Sequence, residues 1–138
     1  MDKMEKKIPE RNISPFGWWV ATLIERFEFE DEDKSNPRRR CHAWTNTVIF
    51  KAEDRDAAYQ KALKIGKTSD SVTNGWHQEG IDRKGAWVFE GLSSLLPIYD
   101  KIDPDGTEIL FENNENITVR RVKSLARTKE ELEVFDDE

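Results

Sequence analysis

The sequence predicts an α+β fold: a mainly antiparallel sheet of four to five strands, with one main helix packed on one face and a short C-terminal helix. Three observations predict it. First, residues 48–66 read as a strand that runs directly into an amphipathic helix. Second, four other stretches alternate apolar and polar residues, as half-buried strands do. Third, turn-forming residues separate these stretches, which favours antiparallel pairing in the order strand, strand, helix, strand, strand, strand.

The chain length and the charge distribution bound the class of protein. A chain of 138 residues is long enough for one domain with a real core. We divide it into a flexible arm over 1–14, a single domain over 15–126, and a short helix with an acidic tail over 127–138. The net charge of −6 arises in the last nine residues, which hold six acids and no base, so the remainder is formally neutral. A neutral body argues against generic nucleic-acid binding, which needs a positive surface.

The cysteine count and the lack of long apolar runs bear on localisation. The single cysteine, Cys41, excludes an internal disulfide and fits a reducing compartment. No apolar run approaches the roughly 20 residues that a membrane span requires. The first residues lack the apolar centre of a signal peptide. The sequence therefore predicts a cytoplasmic protein.

The first predicted strand follows Gly17 and covers residues 18–30. Its alternate residues form one apolar face, which only Glu25 interrupts. Either the first half of the strand is covered on both sides, or a bulge lies near Glu25. The apolar face comprises Trp19, Ala21, Leu23, Phe27 and Phe29.

An acidic run ends this strand, and three arginines follow it. A break at 35–37 separates the acids of residues 28–33 from Arg38, Arg39 and Arg40. We expect the two runs to pair across a hairpin, because opposite charges on neighbouring strands stabilise each other. The second strand is predicted over 41–52.

The main helix follows the second strand. Asp54 lies at the N-cap position, where its carboxylate can accept hydrogen bonds from free backbone N–H groups. Ala58, Ala62 and Ile65 recur at helical spacing, and the small alanines let a helix lie close to a sheet. Gly66 is predicted to end the helix in a left-handed cap.

The segment after the helix has weaker patterns. Residues 67–85 are rich in turn formers and fit either a long loop or a short hairpin, with the sharpest turn signal at 74–75. A third strand is predicted over 86–92, and an apolar connector closed by Pro97 over 93–99.

Two further strands are predicted over 108–112 and 117–122, joined by an asparagine-rich turn. Thr128 and Glu131 have the spacing of a capping box. This spacing predicts a short helix that leads into the acidic tail.

These motifs resemble those of an uncharacterised family of small bacterial proteins, a domain of unknown function. Its members open with a tryptophan-led strand, like residues 18–21, and continue into an A-x-(acidic)-x-x-A helix, like residues 52–62. A W-x-F-x-G-L strand follows, as at 87–92, and then an aspartate-glycine turn into a T-E-(apolar) strand, as at 105–110. The resemblance covers residues 17–112 and implies a fold but no catalytic residue.

Residues 101–112 match most of a calcium-binding EF-hand loop, with acids at the third, fifth and twelfth positions and Gly106 at the sixth. The first position should hold a carboxylate but holds Lys101, whose charge opposes the ion. A tight turn into a strand explains the segment better.

Cys41, His42 and His77 are the chain's only cysteine and histidines. A structural zinc site usually takes four such ligands. A nucleophilic pair of Cys41 with His77 lacks the helix N-terminus or glycine elbow that would activate the thiol. No phosphate-binding or dinucleotide-binding motif is present. The sequence therefore predicts no catalytic residue, no metal site and no cofactor.

Tryptophans and arginines provide the candidate binding residues. Trp19 and Trp87 fall in strong strand patterns and are predicted to be core, whereas Trp76 has no periodic reason to be buried. Exposed tryptophan beside arginine is typical of contact surfaces, but rings that simply cap a small core explain the composition better. The candidate partner-binding residues are Trp44, Arg38, Arg39, Arg40, Trp76 and His77.

The leading hypothesis is a non-enzymatic domain that binds another protein, or itself as a homodimer, through an open sheet face or an edge strand. The alternative is a sensor or enzyme with a small-ligand pocket between helix and sheet, in which Glu25, Glu90 or His77 is the polar group. A second alternative is weak nucleic-acid binding through residues 38–40 and 120–123. The sequence favours the non-enzymatic hypothesis because it contains no catalytic constellation.

Overall fold

The computed structural model describes residues 7–68, 76–78, 81–112, 114–132 and 135–137. Short 3₁₀ helices lie at Glu10–Asn12 and Lys129–Glu131. The remaining elements are, in chain order, strand β1 (Trp18–Phe29), strand β2 (His42–Lys51), helix α1 (Arg55–Thr68), strands β3 (Trp76–Gln78), β4 (Ile81–Arg83) and β5 (Gly85–Pro97), and helix α2 (Val119–Leu125).

β1 is the central strand of an antiparallel sheet with the order β2-β1-β5. β3 and β4 form a separate antiparallel pair, as in the hairpin alternative for residues 67–85. The turn signal at 74–75 lies outside the described residues. The prediction of an α+β fold with an antiparallel sheet is confirmed, but the predicted number of strands is not, because the described residues contribute three strands to the main sheet.

The core lies between this sheet and α1. Alternate residues of β1 point toward the helix, where Ala58 and Ala62 have no exposed surface. Because alanine carries a single methyl group, the helix lies close to the sheet, and this confirms the predicted alanine stripe. The buried residues of this core are Trp19, Ala21, Leu23, Phe50, Ala58 and Ala62.

The predicted start of α1 is confirmed, but its predicted end is wrong. The Asp54 carboxylate accepts a hydrogen bond from the Ala57 N–H at 2.8 Å, so the predicted N-cap is confirmed. The predicted cap at Gly66 is wrong, because α1 continues to Thr68 with Gly66 buried inside it. A Cβ atom on Gly66 would lie 2.3 Å from the ring of Phe89, so glycine here makes room for an aromatic side chain.

β5 is longer than the strand predicted over 86–92, and it includes most of the segment predicted as a connector over 93–99. Its register against β1 shifts twice, so that Glu90 and Ser93 are extra residues on β5. Such bulges let a strand keep pairing while its alternation is interrupted. The interrupted alternation is why the sequence pattern hid the second half of the strand. The bulge at Glu90 lies beside Glu25 of β1. A bulge near Glu25 was one of the two alternatives for β1, but the extra residue belongs to β5.

The two strands predicted near the C-terminus are wrong. Residues 108–112 have no regular secondary structure, and residues 117–122 contain the start of α2. Thr118 caps this helix, since its hydroxyl oxygen accepts the Arg121 N–H at 3.1 Å. Ile117 and Val119 alternate as in a strand, whereas Val119 and Val122 stand three apart as on a helix, and so short a run does not separate the two patterns.

The capping box at Thr128 is confirmed, although it caps only a single 3₁₀ turn. The Glu131 carboxylate accepts a hydrogen bond from the Thr128 N–H at 3.1 Å. This hydrogen bond and a second one, which the Thr128 hydroxyl donates to the same carboxylate at 2.9 Å, hold the pKa of Glu131 below its ordinary value.

Candidate functional site

β2 is an outer strand of the sheet, because among the described residues it pairs with β1 alone. Just beyond the paired segment, the Ala52 N–H donates to the Gly17 carbonyl at 2.9 Å. In an antiparallel pair, alternate residues direct both backbone groups at the partner strand. The even-numbered residues of β2 therefore bond to β1, and the odd-numbered residues direct their N–H and C=O groups outward.

In the ranges that the structure describes, the outward groups of β2 form a hydrogen bond at its C-terminal end. There the Lys51 carbonyl accepts a hydrogen bond from the Lys61 ammonium at 2.8 Å. Within the part of the chain that the structure describes, no hydrogen bond is formed by the outward groups of Ala43, Thr45, Thr47 and Ile49. We call this row of backbone groups, residues 43–49, the β2 edge.

Two large apolar side chains flank the β2 edge on opposite faces of the sheet. Trp44 is 48% exposed on the face that also carries α1, and Ile49 is 42% exposed on the other face. The ring of Trp44 packs edge-to-face on Trp87 with the centroids 5.1 Å apart. Trp87 in turn packs on the buried Phe27 at 5.3 Å. The exposed indole is therefore held in place by the core behind it.

The three arginines before β2 have different environments. Arg39 is half-buried, because its guanidinium bonds to the Glu32 carboxylate and donates to the carbonyl of Asn36 at 2.9 Å. The predicted pairing of the acidic and basic runs is thus present within the loop that joins β1 and β2. Arg38 and Arg40 are exposed. Of the three candidates, these two present their charge to solvent, while Arg39 stabilises the loop.

The Glu32 carboxylate accepts hydrogen bonds from both sides of this loop, from the Phe29 N–H and from the Arg39 guanidinium. Burial on its own raises the pKa of Glu32, but the hydrogen bonds from Arg39 and from the Phe29 N–H outweigh it. The pKa therefore lies below the ordinary value of 4.5.

This lowered pKa predicts an acid-sensitive contribution to stability. A carboxylate whose folded pKa is depressed stabilises the native state above its unfolded pKa, and the contribution is lost as pH falls through the folded pKa. We expect wild type to be more stable than Glu32→Gln at pH 6–7, and the difference to shrink below about pH 4.5. Urea unfolding of both proteins across pH 3–7 measures it. A difference that is independent of pH would contradict the role of the ionised carboxylate.

Trp76 and His77 were the other candidate binding residues. Their backbones pair in β3 with Arg83 and Asp82 of β4. Their side chains lie outside what the structure describes, so the prediction for these two residues stays a prediction.

The carboxylates of the predicted ligand pocket are separated. Glu25 is buried at 9% exposure and accepts a hydrogen bond from the Asn46 amide at 3.0 Å. Glu90 is exposed and bonds to Arg26, which points to the opposite face of β1 from Glu25. A cleft of about 240 Å³ does lie between α1 and the sheet, but neither carboxylate lines it. Its walls are Asn12, Trp19, Arg55, Asp56 and residues 95–97.

The segment that matched an EF-hand loop is a closed turn. The Asp103 N–H donates to the Thr107 hydroxyl at 2.6 Å, and the Asp105 N–H donates to the Asp103 carboxylate at 2.9 Å. Gly106 has a φ of 148°, which favours glycine. Among the described residues, no group of three or more His, Cys, Asp or Glu side chains is placed to hold a metal ion.

An apolar groove that the sequence did not predict lies where β5 ends. Residues 96–99 form one wall and residues 108–111 the other, enclosing about 220 Å³. Tyr99 and Phe111 face each other across it, with ring centroids 6.5 Å apart, and Phe111 is 60% exposed. The apolar run 109–111 favours a strand when the sequence is taken alone. That it forms one wall of a groove depends on contacts with residues 96–99, which no local pattern encodes.

Comparison with known proteins agrees with the resemblance seen in the sequence motifs. A family model described as a domain of unknown function (DUF4288) matches residues 18–111. This range includes all of β1 to β5 and both walls of the apolar groove, and excludes α2. No curated protein and no solved structure matches the chain at a significant level. No helix within the described ranges combines the length and the apolar character needed to cross a membrane.

Proposed function

We propose that this chain, which belongs to the family described as a domain of unknown function (DUF4288), is a non-enzymatic domain that binds another protein, or a second copy of itself, through the β2 edge. The observation that carries the proposal is the row of outward backbone groups at residues 43–49. Such a row is a template on which another strand adds, because main-chain hydrogen bonds then supply affinity.

The composition of the β2 edge supports pairing. Sheet edges that must stay free are commonly protected by charged residues, by proline or by bulges. Residues 43–50 contain no charged residue and no proline, and their register against β1 is regular throughout. This edge therefore lacks the features that would block an added strand.

The flanking side chains would give the edge its specificity. A strand that adds to β2 places its alternate side chains beside Trp44 on one face and beside Ile49 on the other. Tryptophan is enriched among residues that dominate binding energy, and Trp44 is already held by Trp87. Arg38 and Arg40, just before β2, favour a partner with acidic residues at that end.

Replacing Thr47 by proline tests the proposal. Thr47 directs its N–H outward, so proline removes an edge donor without removing a hydrogen bond to β1. We expect the dissociation constant of the complex to rise about tenfold or more. Size-exclusion chromatography with light scattering measures self-association, and pull-down from lysate measures binding to another protein.

Thr47→Val is the matched control, because valine keeps the N–H group and the β-branched shape. It should bind as wild type does. Circular dichroism should show that the proline variant is folded. A wild-type protein that is strictly monomeric and captures no partner would overturn the proposal, as would a proline variant that binds like the valine variant.

A further inference from the structure

A second pair of exposed surfaces lies away from the β2 edge. One is the apolar groove between residues 96–99 and 108–111. The other is α2, in which every residue is exposed. Val119, Val122 and Leu125 recur three apart and form one apolar stripe, with exposures of 70%, 50% and 53%. Helices with such a stripe normally bury it.

The two surfaces have opposite charge. Residues 100–112, which include the outer wall of the groove, hold five acids and one lysine. Residues 117–129, which include α2, hold five bases and no acid. Within the described part of the chain, neither Glu108 on the groove nor Arg121 on α2 forms an ion pair. Among the described residues the two surfaces are therefore both apolar and exposed, and they are opposite in charge.

We propose that the groove binds α2 of a second copy of this chain, and that the second copy's groove binds the first copy's α2 in return. In each chain α2 stays out of its own groove, which leaves both surfaces open. A two-fold exchange fills both grooves with identical contacts. The stripe of α2 lies on Tyr99 and Phe111, and its basic side lies toward Glu108. This surface is distinct from the β2 edge.

A mixing experiment with two full-length variants tests the exchange. Phe111→Lys destroys the groove but keeps α2, and the double variant V122D/L125D destroys the stripe but keeps the groove. We expect each variant alone to dimerise roughly tenfold or more weakly than wild type. An equimolar mixture should form heterodimers, because the intact α2 of one variant fits the intact groove of the other. Native mass spectrometry distinguishes the species by their masses.

Charge reversal provides a second, milder measurement. Glu108→Lys should weaken dimerisation, and adding Arg121→Glu to the same chain should restore it, because each reversed groove then meets a reversed helix. Tyr59→Lys changes an exposed aromatic residue on α1, away from the groove and α2, and serves as the control. It should dimerise as wild type does.

The outcomes separate this inference from the β2 edge. When Thr47→Pro is added to both variants, Phe111→Lys and V122D/L125D, their mixture should still form the heterodimer. If both variants still dimerise like wild type, or if their mixture forms no heterodimer, the exchange is wrong. A wild-type monomer in which α2 resists hydrogen exchange would mean that α2 binds its own groove, and this too would overturn the inference.

Discussion

Replacing Phe27 by alanine is expected to lower the free energy of unfolding by about 3–5 kcal/mol, the usual range for a buried phenylalanine. Phe27 is 1% exposed, and its ring lies 5.0 Å from that of Phe29 and 5.3 Å from that of Trp87. Alanine removes these contacts and leaves a cavity at the centre of the aromatic cluster. Chemical denaturation followed by tryptophan fluorescence measures the loss.

Phe16→Ala is the matched control, because Phe16 is 44% exposed. Its effect should stay within about 0.5 kcal/mol. Equal losses at the two positions would contradict the packing described for Phe27. The cluster also bears on function, since Trp44 rests on Trp87 and Trp87 rests on Phe27. Loss of Phe27 should therefore loosen the indole that flanks the β2 edge.

Replacing Gly85 by alanine is expected to cost about 2–3 kcal/mol and to lower Tm by roughly 10 °C, as overpacking of a close contact does. A Cβ atom on Gly85 would lie 2.3 Å from the carbonyl oxygen of Glu28 and 2.5 Å from the ring of Phe27. The carbonyl belongs to β1, which pairs with β5 at this point, so it cannot move without disturbing the sheet. Thermal unfolding by circular dichroism measures the shift.

Ser93→Ala, at an exposed position of the same strand, should leave Tm nearly unchanged. The double variant G85A/F27A gives a sharper measurement. Removing the Phe27 ring relieves one of the two overlaps. The losses in free energy of unfolding of the two single variants should therefore sum to more than the loss of the double variant. Strict additivity would mean that the ring does not contact Gly85.

The sequence predicted strand β2 and the candidate Trp44, but not that β2 is an outer strand or how the residues beside it are used. Alternation placed β2 correctly, and Trp44 is exposed in the structure. The prediction treated the three arginines alike. Only the loop geometry shows that Arg39 bonds to Glu32 while Arg38 and Arg40 face solvent. Loop pairing depends on which side chains meet in space, and a run of identical residues does not encode it.

The sequence by itself determined β1, β2 and α1, because each is specified by patterns within a few residues. Alternating apolar residues specify the two strands. Asp54 fixes the start of the helix as its N-cap, and the alanines at helical spacing define the face that the helix buries. β1 and β2 pair antiparallel across the loop of residues 30–41, as the predicted pairing of its acidic and basic runs requires.

Only the tertiary structure decided the role of Gly66, the length of β5 and the conformation of residues 108–112. Gly66 is required by Phe89, a residue of another element, and two bulges that keep β5 paired with β1 break its alternation. Residues 108–112 have enough apolar character for a strand, but in the structure they form one wall of a groove against the end of β5. In each case the deciding contact joins residues distant in the sequence, so no local pattern contains it.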